Sequence, residues 1–166
     1  MEKTNVKYNA YIKILEEELR PAMGCTEPIA LAYAAAVARK VLGELPDKVV
    51  IGASGSIIKN VKSVIVPNTD HLKGIPAAAA AGIVAGDPDK ELEVIASVEK
   101  EAIAEMKEFL KKTPISVEHV DNGFTFEIVV TLYKGEAWSR VRIVNFHTNI
   151  VLIEKNGEIL KEVPVE

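Results

Sequence analysis

Apolar positions recur with two different periods along the chain, and the change falls at Pro114. Before it, Tyr8, Ile12, Leu15 and Leu19 fall at helical spacing with charges between them, which predicts an amphipathic helix ended by Pro21. Ile29 to Leu42 is apolar on almost every face and predicts a buried helix, with Gly43 as its C-cap. Lys48 to Ala53, with Val49, Val50 and Ile51, predicts a strand. Gly52, Gly55 and two serines follow as a loop, Val61 to Val66 fits either a helix or a strand, and Pro67-Asn68 signals a turn. Pro76 sits where a helix starts, ahead of five consecutive alanines whose small side chains allow close packing. Asp87 and Pro88 read as N-cap and first residue of one further helix with an apolar stripe of Leu92, Ile95, Ile103, Met106 and Leu110, stopped at Thr113-Pro114.

Beyond Pro114 the period drops to two. Phe124, Phe126, Ile128, Val130 and Leu132 alternate with mostly polar residues, which predicts a strand with one apolar face. Asn122-Gly123, Lys134-Gly135 and Asn156-Gly157 are tight-turn signals between β-rich runs. The expectation is one α+β domain over residues 1–166: helices first, including a buried Ala-rich helix, followed by an antiparallel meander of four or five strands.

Composition narrows the function classes. At 166 residues, 48% hydrophobic and 27% charged, the chain has enough apolar material for a core without disulfides. A net charge of −4 and 5% aromatics argue against nucleic acid or an anionic membrane as partner. The N-terminal stretch is charged and lacks an apolar signal region, no apolar run is long enough to span a bilayer, and the single cysteine permits no internal disulfide. A cytoplasmic location is expected.

Four segments carry candidate chemistry. Cys25 precedes the buried helix, where free N–H groups and the positive end of the helix dipole favour thiolate; a small buried hydrophobe is the plainer reading. Gly52-Ala-Ser-Gly-Ser56, with Lys59, Asn60 and Lys62 behind it, suits an anion such as a carboxylate or phosphate, or serves only as a turn. Pro67-Asn-Thr-Asp-His71 places polar groups beside a helix start, as an ordinary capped turn also would. His147, in Phe146-His-Thr-Asn149, can act as acid, base or ligand, or be merely solvated. His119 receives no role. There is no HExxH, CxxC, GxSxG or P-loop spacing.

The segments PAMGCTEPIALAYAAAVAR, SGSIIKNVKSVIVPNT, GIPAAAAAGIVAGD and HTNI, in this order, resemble the N-terminal part of the L-cysteine desulfidase family, which is related to the alpha chain of iron–sulfur L-serine dehydratases. The resemblance implies a lyase that converts L-cysteine and water to sulfide, ammonia and pyruvate with a 4Fe-4S cluster held by three cysteines. It implies Cys25 as one cluster ligand, Ser54, Ser56, Asn60, Asn68 and Thr69 as holders of the amino acid's carboxylate and amine, and His147 as a proton carrier. Two departures fall in the proposed substrate segments: Ser54-Gly55-Ser56 stands where the family more often has Ser-Gly-Asn, and Asp70 where it tends to have glycine.

A 4Fe-4S cluster needs three or four protein thiolates, and one cysteine cannot supply them. The expected partners are therefore a small amino-acid substrate, a missing C-terminal part or separately encoded subunit that brings the other cysteines, and further copies of the chain in a homo-oligomer. The chain alone is expected to be inactive. The alternatives are a fragment of an L-serine dehydratase, or a non-catalytic domain that binds a small amino acid or carboxylate.

Overall fold

A computed structural model describes residues 26–61, 66, 69, 72–95, 100–145 and 149–164. The helix expected at Tyr8–Leu19 and most of the Val61–Val66 run lie outside them. The described elements are α1 (Thr26–Leu42), β1 (Lys48–Ala53), α2 (Gly55–Val61), α3 (Gly74–Ala85), a 3-10 helix (Pro88–Glu93), α4 (Lys100–Lys112), β2 (Ile115–His119), β3 (Glu127–Lys134), β4 (Ala137–Val144), β5 (Ile150–Lys155) and β6 (Glu158–Glu162). The fold is α+β, as the two periods predict.

The six strands form one sheet in the order β2-β1-β3-β4-β5-β6. Strands β3 to β6 are the antiparallel meander. Its β5–β6 turn has both Asn156 and Gly157 at positive φ (52° and 89°), the backbone an Asn-Gly hairpin turn requires. Strand β1 enters between β3 and β2, antiparallel to the first and parallel to the second. The chain between the two parallel strands carries α2, α3, the 3-10 helix and α4. Such a crossover is what a parallel pair demands.

The pleat gives the sheet two different faces. Val49, Ile51 and Ala53 of β1, Ile128, Val130 and Leu132 of β3, and Val141 and Ile143 of β4 share one register face and are all 0% exposed. Phe124 and Phe126, expected in the same strand, precede it and are half-buried; Phe126 O still accepts from Asn145 N at 3.0 Å, one bond beyond the strand's end. Helix α1 lies on β3 and β4 on this apolar side, and Ser139 Oγ donates to Ala38 O at 2.8 Å across that contact. The opposite face carries half-buried Arg140, Arg142, Tyr133 and Trp138, with Arg140 5.0 Å from the Trp138 ring centroid.

Helix α3 packs against α1, and α4 against α3. The contact between α1 and α3 is one of backbones. A Cβ built on Gly82 would lie 2.0 Å from Ala32 O, and one on Gly86 would lie 2.9 Å from Ala36 Cβ. The two contacts repeat at the four-residue spacing that puts side chains on one helix face. Arg39 Nη1 then donates to Ile83 O at 2.7 Å, satisfying a carbonyl in the last turn of α3. The single helix expected from Pro88 to Lys112 is two elements. Asp87 caps the 3-10 helix, accepting from Asp89 N at 3.1 Å, while Met106 and Phe109 of α4 are buried.

Gly82→Ala is expected to cost about 3 kcal/mol of stability, because the added methyl meets backbone that cannot turn away. The exposed control Ala104→Gly in α4 should cost only about 1 kcal/mol, from helix propensity. Urea denaturation of the two variants measures the difference, and equal midpoints would disprove the backbone contact.

Candidate functional site

The C-terminal end of β1 is where the sequence-predicted polar residues meet. Ser54 N donates to Glu127 O at 2.9 Å, extending the β1–β3 ladder by one bond. Ser54 Oγ donates to Thr125 O at 2.9 Å and accepts from Glu127 N at 3.1 Å. Its carbonyl accepts from Ile58 N at 3.1 Å, the first bond of α2. The segment expected as a loop therefore becomes a short helix at Gly55, because Ser54 offers its backbone to the sheet on one side and to a helical turn on the other. With 3% exposure and its hydroxyl engaged twice, Ser54 builds the site from beneath.

Ser56 and Asn60 are the outward members. Ser56 Oγ donates to the same Thr125 carbonyl. Asn60 follows four residues later in α2, so the two share one face of that helix, with Asn60 exposed. Thr69 is 1% exposed, and its Oγ1 donates to Val66 O at 2.7 Å, a bond within its own turn. Cys25, Asn68 and His147 lie outside the described residues.

His119, to which the sequence assigns nothing, joins this group. The β1–β2 register pairs it with Ala53, and a Cβ built on Gly55 would lie 3.3 Å from its Nε2. Only the parallel pairing of β1 with β2, whose partners stand 66 residues further along the chain, brings it there. It is exposed, and its ring nitrogens can donate, accept or carry a proton.

A buried carboxylate lies behind the site. Glu127 is 1% exposed; Arg142 Nε donates to its Oε2 at 2.7 Å, and Asn122 Nδ2 reaches both carboxylate oxygens at 3.0 and 3.1 Å. Arg142 also stands 5.5 Å from the centroid of the Phe124 ring. Burying a carboxylate is costly unless it is paired and hydrogen-bonded, and here both conditions hold. One signal for this cluster was available in the sequence. The Lys134-Gly135 turn sets the β3–β4 register, in which Glu127 opposes Val144 and Arg142 opposes Val129, so the opposite charges become diagonal neighbours on one face.

An iron–sulfur cluster does not fit the described residues by themselves. Among them no three His, Cys, Asp or Glu side chains converge, and the chain's single cysteine lies outside them. Among the described residues no helix is long and apolar enough to cross a membrane.

The chain is similar to longer proteins. It is 54% identical over 160 residues to a UPF0597 protein of Desulfitobacterium hafniense (strain Y51), covering 96% of this chain and 37% of that one. It is 46% identical over 158 residues to a UPF0597 protein of Treponema denticola, covering 95% and 37%. It is 38% identical over 161 residues to one of Vibrio campbellii, covering 96% and 38%. No protein-family model and no solved structure matches. The chain thus spans between a third and two fifths of the length of these curated relatives.

Proposed function

We propose that this chain is the substrate-holding part of a longer lyase that releases sulfide from L-cysteine and leaves pyruvate and ammonia. The observation that carries the reading is the Ser56–Asn60 face of α2, whose first residue Gly55 lies against His119, built on the same Ser54–Asn60 segment that resembles the L-cysteine desulfidase family. In this reading Asn60 and Ser56 hold the amino acid's carboxylate and amine, and a nearby imidazole accepts the proton from its α carbon. His119 is the described candidate for that proton, beside the sequence-derived His147. The 4Fe-4S cluster belongs to the longer protein: this chain contributes Cys25, and polypeptide outside it contributes the remaining thiolates. In this reading the enzyme works in a reducing cytoplasm, where its cluster thiolates stay reduced.

The reading is tested on the longer protein that carries this sequence, purified without oxygen and given L-cysteine. Sulfide and pyruvate should appear in equal amounts, and Cys25→Ala should abolish both together with the iron content. Turnover of L-serine alone would move the protein to the dehydratase branch; no turnover of either amino acid in the iron-loaded protein would overturn the reading. Asn60→Ala in the same protein should raise KM for L-cysteine about tenfold with kcat within about twofold, as expected for a group that binds ground and transition states alike. An unchanged KM would remove Asn60 from the site.

A further inference from the structure

The face of the sheet away from the described helices carries a cavity of about 400 Å³, walled by Arg142, Val151, Leu152, Glu162, Val163 and Pro164. The strand register explains its make-up. Arg142 of β4 opposes Leu152 of β5, and Leu152 opposes Glu162 of β6, so a cation, an apolar side chain and an anion stand in one row across three strands. The neighbouring row makes the contrast. There Arg140 opposes Glu154 directly, and the two close on each other at 3.5 Å. In the Arg142 row the intervening leucine sets the charges two strand spacings apart, about 10 Å between backbones. Among the described residues neither closes on the other: the hydrogen bond of Arg142 runs from Nε to Glu127, and Glu162 has no side-chain partner.

Arg142 is also held in place before any ligand arrives. Its Nε is fixed at 2.7 Å to a carboxylate that Asn122 holds from the other side, and its guanidinium lies over Phe124. Its terminal nitrogens donate to no described residue, and the side chain remains 26% exposed. A guanidinium fixed through Nε, with its other end free, is a fork for a carboxylate. The irregular β5–β6 pairing and the bond from Val163 N to Val151 O, at 2.8 Å, keep the apolar walls next to that fork.

We propose that this cavity binds a free α-amino acid as its zwitterion, with the carboxylate on Arg142, the ammonium on Glu162 and an aliphatic side chain of about leucine size against Val151, Leu152 and Val163. The volume falls within the range of roughly 300–1,000 Å³ typical of small-molecule sites. The site is separate from the Ser56–Asn60 face and does not rest on the lyase reading, because the pleat puts it on the side of the sheet away from the described helices.

The test titrates the 166-residue chain with L-leucine, with isocaproate (which lacks the amine) and with isoamylamine (which lacks the carboxylate). Heats are read by calorimetry, and contacts by methyl resonances of Val151, Leu152 and Val163. L-Leucine should bind in the millimolar range or tighter, shift those methyls, and outbind both partial analogues. Glu162→Gln, at an exposed strand position, should weaken L-leucine roughly tenfold or more and leave isocaproate unchanged. Arg142→Ala should abolish binding of L-leucine and isocaproate alike; if the orphaned Glu127 unfolds that variant, Glu162→Gln decides. No L-leucine binding in the millimolar range, methyl shifts confined to other residues, or L-leucine affinity indifferent to Glu162→Gln would each overturn the proposal.

Discussion

A carboxylate with 1% exposure is the constraint around which this molecule's polar architecture is arranged. Glu127 opens β3, and its backbone N–H and C=O both bond to Ser54, so the end of β1 and the start of α2 are fixed to it. Its side chain leaves through the other face of the sheet to Arg142 and Asn122. An ion pair taken out of water adds little stability unless its remaining hydrogen-bonding capacity is filled, and removing either partner leaves an uncompensated charge. The arrangement therefore specifies geometry more than it adds stability. It aligns the first bond of α2 on one side of the sheet and the fork of an arginine on the other.

The helical layer follows a different logic. Alanines from Ala30 to Ala38 and from Ala77 to Ala81 give little side-chain area each, so the layer gains its stability from closeness. With Gly82 against the Ala32 carbonyl and Gly86 against Ala36, α1 and α3 approach until their backbones touch. Dispersion between densely packed atoms replaces the large side chains that this layer lacks. Larger buried residues remain at Ile29 and Leu31 of α1 and at Met106 and Phe109 of α4, which packs on α3.

Most elements were legible in the chain because their local signals agree with their tertiary environment. The buried helix ending before Gly43, the strand at Lys48–Ala53, the helix at Pro76 and the meander with its Asn156-Gly157 turn follow from periodicity, capping and turn chemistry alone. The misses share a cause. Phe124 and Phe126 continue the alternation of β3 but precede the strand, which begins at Glu127, and the Leu92–Leu110 stripe keeps its helical spacing across what are two elements. In both cases the pattern recorded which residues prefer burial, while hydrogen bonding to a distant strand or a local cap set where the element starts.

For the site, residue type was readable and role was not. Ser54, Ser56 and Asn60 are singled out by composition and by resemblance, yet only the folded chain separates a serine spent on Thr125 and Glu127 from an asparagine left in solvent. By itself the sequence determined the α+β class, the helical and strand periods and the chemical types available, because those depend on contacts within a few residues. The placement of β1 between β2 and β3 was decided only by the tertiary structure, as were the pairing of His119 with Ala53 and the row Arg142–Leu152–Glu162. The reason is physical: where no tight turn joins two strands, register brings together residues far apart in the chain through backbone hydrogen bonds that are the same for every side chain, so no local pattern encodes which partners meet.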